Sequence, residues 1–302
     1  MSSIKNVAVL GAGGALGAPL LKVIIDSGKF NVTVITRPAS KSTFPSSVKV
    51  IKADYESLDS LTSALKDQDA VVSAVGTDGL LGQSLLVDAA ITAGVKRILP
   101  SEFGSDLSNA KAAALPVFGY KVATRKHLEE KVAAGAKITY TYVVNSGFLD
   151  WGLDEGFLLD WKSAEPKLYN GGEYEFSATS LASVGQAVVG VLSHLEETQN
   201  RTVYVQDITV SQKKLLEIAR KVAPEKKWSP VKVNLDDQEK WANGKLAEGD
   251  YSDGVMYTYL NVVMFQDGYG ARFEKLDNEL LGVTGKTEAD VEEIFTKLFA
   301  GN

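Results

Sequence analysis

Along the first half of the chain, short uninterrupted apolar runs alternate with longer stretches whose apolar residues recur at helical spacing. "NVAVL" (6–10), "NVTVIT" (31–36), "DAVVSAVG" (69–76), the start of "VKRILPSEFG" (95–104) and "KITYTYVVNSGF" (137–148) read as strands. Residues 15–27, 56–67, 80–94 and 121–135 read as the helices between them. Strands that are near-continuous in Val, Ile and Leu are covered on both faces, as in a parallel sheet flanked by helices. The unbroken alternation predicts an α/β fold with a doubly wound parallel sheet.

After residue 150 the rhythm changes. "WGLDEGFLLDW" (151–161) carries aromatics and glycines without clean periodicity, and 171–197, 201–211 and several helix candidates follow. No Pro/Gly/Ser linker, repeat or low-complexity tract separates the halves. The expected organisation is therefore residues 1–150 as one domain and 151–302 as a smaller lobe. That lobe is intertwined with the first: some segments return to the sheet and others cover the carboxyl ends of its strands.

Composition narrows the chemistry. The chain has 302 residues, 45% hydrophobic and 23% charged, with a net charge of −6. Without a basic surplus, general binding to nucleic acid is not expected. There is no cysteine and there are two histidines, His127 and His194, so thiol chemistry and a His-rich metal centre are excluded. No apolar run approaches the ~20 residues of a membrane helix. The apolar residues 7–10 run into glycines rather than a cleavage site. A soluble cytoplasmic protein is the expectation; a homodimer is left open.

"VLGAGGALGAPLL" (9–21) links the first strand to the first helix. A G-x-G-x-x-G reading from Gly11 fails at Leu16, whereas G-x-x-G-x-x-G fits Gly11, Gly14 and Gly17, with Gly13 as an extra. A strand–glycine turn–helix unit lets a pyrophosphate approach the helix N-terminus, and such a unit is the start of a Rossmann-type fold. Gly11, Gly13, Gly14, Ala15, Leu16 and Gly17 are the candidate contacts; a tight turn without a ligand is the competing reading. After the second strand, where an NAD-binding acid would stand, the chain has Arg37 and then Lys41. An arginine there accommodates a 2′-phosphate, so NADP(H) is the expected cofactor. Asp54 is either near the adenine edge or a helix-start residue. Ala74, Val75 and Gly76 lie where a nicotinamide ribose would, or simply form a compact turn.

No Tyr-x-x-x-Lys occurs anywhere; Lys121 is present, but Val117 stands four residues before it. Lys121, at the start of a helix, becomes the acid/base candidate. Arg125 and Glu129 follow on the same face and read as a surface i,i+4 ion pair. His127 points elsewhere on that helix, and His194 suits a helix C-terminus. Asn145, Gly147 and Phe148 follow the fifth strand at the carboxyl edge, where such sheets bind ligands. Ser101, Glu102 and Phe103 leave the fourth strand beside them, with a purely structural role at least as well supported.

The glycine turn, Arg37, "LPSEFG" (99–104), Lys121–Arg125–Glu129 and "YTYVVNSGF" (140–148) occur in this order over the first half. Together they resemble the NmrA-like, atypical short-chain dehydrogenase/reductase family, in its isoflavone reductase and phenylcoumaran benzylic ether reductase branch. The resemblance implies that NADPH supplies a hydride, that Lys121 is the catalytic general acid/base, and that the loop at Asn145–Phe148 approaches nicotinamide and substrate. Burial and a positive nicotinamide would both bring a lysine from its ordinary pKa of about 10.4 towards the working range.

The likeness weakens beyond residue 150. Trp151, Phe157, Trp161, Met256, Tyr257, Tyr259, Met264 and Phe265 are candidate pocket residues for an aromatic or conjugated small molecule, with the core of the smaller lobe expected to claim most of them. The leading expectation is an NADPH-dependent reductase of such a substrate. The alternatives are a non-catalytic redox sensor that binds the dinucleotide and regulates a protein, and a cofactor-bound isomerase or cyclase.

Overall fold

The computed structural model describes residues 3–301. The first half supplies strands β1 (Asn6–Leu10), β2 (Asn31–Thr36), β3 (Lys49–Lys52), β4 (Ala70–Ser73), β5 (Arg97–Leu99) and β6 (Thr139–Val144). Helices α1 (Gly17–Asp26), α2 (Leu58–Ala64), α3 (Thr77–Leu80), α4 (Gln83–Thr92), α5 (Ala110–Ala113) and α6 (Gly119–Ala133) connect them. The helix expected over 80–94 is divided between α3 and α4.

The second half holds β7 (Gly147–Phe148), α7 (Leu149–Asp154), β8 (Lys167–Tyr169), β9 (Glu175–Thr179), α8 (Leu181–Ser193) and β10 (Arg201–Tyr204). It continues with β11 (Ile208–Ser211), α9 (Gln212–Val222), β12 (Val231–Val233), α10 (Leu235–Ala247), α11 (Asp253–Phe265), α12 (Asn278–Leu281) and α13 (Glu288–Ala300).

The main sheet has the order β10-β6-β5-β4-β1-β2-β3, and every neighbouring pair is parallel. This is a Rossmann-type doubly wound sheet whose strand order reverses between β1 and β4, the place where such sheets take ligands. Its seventh strand comes from far along the chain: β10 lies beside β6, with Arg201 opposite Thr141. Two smaller sheets, β11-β9-β7 and β12-β8, belong to the second half.

Alternate residues of β1 feed opposite faces. Val7 and Val9 pack with Leu20, Ile24, Val184 and Val188 of α1 and α8, whereas Ala8 and Leu10 pack with Leu61, Leu86 and Leu128 of α2, α4 and α6. A third core holds Leu153, Trp161, Phe176, Tyr259, Phe265 and Phe295, and draws in Leu107, Leu115 and Phe118 from before α6. The halves therefore exchange segments in both directions.

One fully buried cation ties strands together. Arg97 on β5 donates to Thr139 Oγ1 (2.8 Å), Thr141 Oγ1 (2.8 Å), Thr198 Oγ1 (2.9 Å) and the Leu195 carbonyl (2.6 Å). Burial pushes its pKa down to about 10, and these oxygens compensate the charge without a carboxylate.

A candidate dinucleotide cleft with a buried lysine beside it

A cleft of about 960 Å³ opens at the carboxyl ends of β1, β2 and β4. Its wall includes Gly11, Gly13 and Gly14 from the glycine turn, Arg37 from the end of β2, and Ala74, Val75 and Gly76 from the end of β4. Asp253, at the start of α11, reaches the same cleft from the second half.

The geometry explains the glycine spacing. Gly11 has φ +73°, and a β-carbon there would lie 2.3 Å from the Ala74 carbonyl oxygen. At Gly17 it would lie 2.0 Å from the Gly11 carbonyl oxygen, so α1 can start beneath the turn only with glycine at this position. Gly14 closes the turn by donating its N–H to the Gly11 carbonyl at 3.0 Å. Gly13 faces Ser42, whose loop folds over the turn. Gly17 is thus a packing residue below the cleft; Ala15 and Leu16 are likewise outside its wall, Leu16 being the residue before α1.

Arg37 is exposed at the rim, and Lys41 is exposed on the loop beyond it without lining the cleft. Asp54 accepts the Glu56 N–H (3.0 Å) in the turn before α2, which is the helix-start reading of that residue. Its neighbour Tyr55, which the sequence did not single out, lines the cleft and donates to the Ile35 carbonyl at 2.7 Å. Burial pushes that phenol up to about 12, with the Arg37 charge acting in the other direction.

Ser101 joins the cleft to the lysine. Its hydroxyl donates to the Val75 carbonyl (2.8 Å), and its N–H donates to Gln83 Oε1 (2.7 Å), Gln83 itself lining the cleft. One residue further on, the Glu102 carbonyl accepts from Lys121 Nζ at 2.8 Å, and the Phe103 carbonyl accepts from the same nitrogen at 3.3 Å. Burial pushes the Lys121 pKa below the ordinary lysine value; the Glu102 charge opposes this and the Arg125 charge reinforces it.

Arg125 and Glu129 do not form the surface pair expected of them. Arg125 is buried, and its Nε donates to Glu102 Oε2 at 2.7 Å, while its guanidinium stacks 4.2 Å from the Tyr142 ring. Glu129 instead accepts from the Tyr142 hydroxyl at 3.1 Å. Helical spacing put Arg125 near Glu129, but the carboxylate leaving β5 competes for it in a dry environment where charges attract more strongly. Burial raises the Glu102 carboxyl, and Arg125 and Lys121 both oppose that rise.

Asn145 is buried behind β6, and its carbonyl accepts from Thr179 Oγ1 at 2.7 Å. Gly147 packs against Leu158 and Met264, and Phe148 meets Trp151 edge to face at 6.2 Å. None of the three lines the cleft. Trp161, Tyr259, Met264 and Phe265 are core residues of the second half, Phe157 and Met256 pack on that core, and Tyr257 is exposed. His127 bonds Asp88 Oδ1 at 2.9 Å, a carboxylate shared with Lys131, and His194 caps the end of α8.

Among the described residues, two of the ten buried side-chain polar atoms without a protein partner, Ser73 Oγ and Gln83 Nε2, belong to residues of the cleft wall, and two more, Glu102 Oε1 and Arg125 Nη2, belong to the ion pair beside Lys121. Orphaned polar atoms are costly in a core, so the two in the cleft wall fit a polar ligand site. Among the described residues, no cluster of metal-ligating side chains occurs and no helix is long and apolar enough to cross a membrane.

A seven-stranded Rossmann sheet with a glycine turn at its switch point and a cleft above that turn is the frame of the dinucleotide-binding proteins. The chain belongs to the NmrA-like family, whose pattern matches residues 3–240. It is 31% identical to oxidoreductase aprR of Aspergillus flavus, over 98% of this chain and 99% of that one. It is 38% identical to isoflavone reductase homolog IRL of Zea mays, over 48% of this chain and 46% of that one. Among solved structures, AtPrR2 with NADP+ and (+)pinoresinol superposes with a TM-score of 0.78 at 22% identity, covering 99% and 100% of the two chains. Leucoanthocyanidin reductase with NADPH, from Vitis vinifera, also gives 0.78, at 20% identity and coverage of 98% and 99%. At these identities the solved structures share the fold. The oxidoreductase relative is matched along nearly the whole chain, and the isoflavone reductase homolog along about half of it.

Proposed function

We propose that the protein is an NADP(H)-dependent reductase that delivers a hydride to a small aromatic or conjugated substrate, with Lys121 as general acid/base. In this reading residues 1–150 form the dinucleotide half and 151–302 the main part of the substrate lobe. Gly11, Gly13 and Gly14 hold the pyrophosphate, and Arg37 at the rim takes the 2′-phosphate, with Lys41 on the loop beyond it as a second cation. Ala74, Val75 and Gly76 flank the nicotinamide ribose, with Asn145, Gly147 and Phe148 supporting the inner end. NADPH supplies the hydride when bound.

The observation that carries the reading is the setting of the Lys121 nitrogen. A neutral amine has two N–H groups and one lone pair, and a protonated one has three N–H groups. Two carbonyls, of Glu102 and Phe103, accept two of those positions. The third is left for a substrate: a lone pair that takes a proton, or an N–H that gives one to an enolate or steadies an oxyanion. One geometry serves both directions of proton transfer, and burial brings the lysine pKa down from its ordinary value.

Titration of the purified protein with NADPH and NADH, followed by fluorescence, tests the cofactor. NADPH should bind more tightly than NADH, and Arg37→Ala should bring the two together. NADPH consumption with a panel of aromatic substrates, compared between wild type and Lys121→Ala, tests the chemistry. A variant that matches wild type on a true substrate removes Lys121 from the mechanism. NADPH binding without turnover on any substrate would point to the sensor instead.

A further inference from the structure

We propose that Glu102 and Arg125 form a positioning pair for Lys121: Glu102 grips α6 at two successive turns, by its carbonyl at Lys121 and by its carboxylate at Arg125, and so fixes where the lysine nitrogen points and the charge it faces. This rests on the reading of Lys121 as the acid/base.

The start of α6 shows why such a clamp is needed. No side chain caps the helix there; it follows directly from a 3₁₀ turn, Pro116–Phe118. Lys121 lies in its first turn, where an uncapped helix frays. The loop leaving β5 supplies the missing restraint. Its Glu102 carbonyl accepts from Lys121 at 2.8 Å and its Glu102 carboxylate accepts from Arg125 at 2.7 Å, four residues and about one helical turn apart. The same loop is fastened to the cleft wall through Ser101 and the Val75 carbonyl. A shift at Glu102 therefore moves the lysine relative to the cleft.

A buried ion pair is a costly way to hold a helix if stability is all it provides, since apolar residues of similar volume often do as well. Here Glu102 is fully buried, and Oε1 of the carboxylate and Nη2 of the guanidinium lack protein partners. What Glu102 provides beyond packing is a carboxylate on the loop that holds the lysine, with Arg125 as its counter-charge. The other ionisable groups around the pair are Glu129 on α6, Tyr140 and Tyr142 on β6, Tyr204 on β10 and Asp106 on the loop after β5. Burial pushes all three phenols up from the ordinary tyrosine value. Glu102 is the carboxylate in closest engagement with the site.

The test is a titration of Lys121 itself, in full-length protein labelled with ¹³C-lysine, following the Cε resonance by NMR against pH. The Lys121 signal is the one lost in Lys121→Arg. Glu102→Gln keeps an acceptor for Arg125 and removes the charge. It should move the Lys121 midpoint to lower pH, and lower kcat by roughly 10- to 100-fold, as expected for a misplaced reacting group, with the NADPH dissociation constant unchanged. A Lys121 midpoint that stays where it is in wild type overturns the proposal and leaves the pair a structural staple. If Glu102→Gln does not fold, Glu102→Gln/Arg125→Met removes both charges together. The midpoint should again fall, by less, because the Glu102 influence on the lysine exceeds that of Arg125; an unmoved midpoint again overturns the proposal. The NMR readout needs neither substrate nor turnover, so a wild type that reduces nothing would defeat the proposed function without deciding the role of Glu102.

Discussion

Gly17 lies so close beneath Gly11 that a β-carbon on Gly17 would stand 2.0 Å from the Gly11 carbonyl oxygen. Backbone cannot retreat as a side chain tip can, so Gly17→Ala must push α1 away from the turn. The expected cost is about 1–3 kcal/mol or more, read as a lower midpoint in urea denaturation, together with weaker NADPH binding. Gly76 is the contrast, because a β-carbon there meets nothing within 4 Å although the residue lines the cleft. Gly76→Ala should leave the urea midpoint unchanged or slightly higher while still weakening NADPH binding. A loss of stability in Gly76→Ala equal to that in Gly17→Ala would contradict this division.

Lys121, a half-buried residue whose nitrogen is held by two carbonyls, links pH to stability with a definite sign. Its folded pKa lies below the unfolded value near ~10.4, so between the two the unfolded chain carries the extra proton. Stability must therefore rise with pH through that window and carry the full cost of the buried charge below it. Thermal melts of wild type and Lys121→Met across that range should show wild type gaining on the variant as pH increases. Parallel curves would mean that Lys121 titrates as an ordinary surface lysine.

Arg97 makes a third prediction, about stability alone. Arg97→Ala removes four hydrogen bonds at once, orphans the Leu195 carbonyl and opens a cavity between β5 and β6. A loss of about 3–5 kcal/mol is expected, measured by urea unfolding. Arg97→Met fills most of the volume and should recover a large part of it. If Arg97→Ala costs under ~1 kcal/mol, the guanidinium is not what joins these strands.

At the sheet edge, Asp277 accepts from Arg201 Nη2 at 2.8 Å and Nη1 at 3.2 Å, and from the Tyr204 N–H at 2.9 Å. It thus holds both ends of β10 from outside the sheet. Asp277→Ala should speed amide hydrogen exchange in β10 and at the adjoining residues of β6, while β1 and β4 remain protected. Uniform exchange throughout the sheet would indicate a global rather than an edge effect.

Much of the first half could be read from the chain because its signals are local. Val, Ile and Leu runs place β1, β2, β4 and β6 within a few residues, and the glycine spacing follows from contacts between Gly11, Gly14 and Gly17 only a turn apart. The partner of Arg125 was not legible, since Glu102 is 23 positions away in the sequence whereas Glu129 stands at the helical spacing that suggests a pair. A buried arginine on a helix aligned with an acid at a strand exit is a signal only once the fold brings them together. The second half was harder for a related reason. Its strands β7, β8 and β12 are two or three residues long, too short for a period to register. Tyr55 is not legible in the sequence because its value lies in burial and in one carbonyl contact, neither of which its neighbours in the sequence announce.

The sheet receives its last strand late. β6 ends at Val144, and the strand that covers its open edge, β10, begins at Arg201. During synthesis the edge of β6 must therefore wait for more than 50 further residues, several seconds at about 5–20 residues per second. Over that interval the nascent chain presents an unpaired strand edge, the feature most apt to join a neighbouring chain. The same connection that knits the two halves into one body is the one that leaves β6 open until the far half arrives.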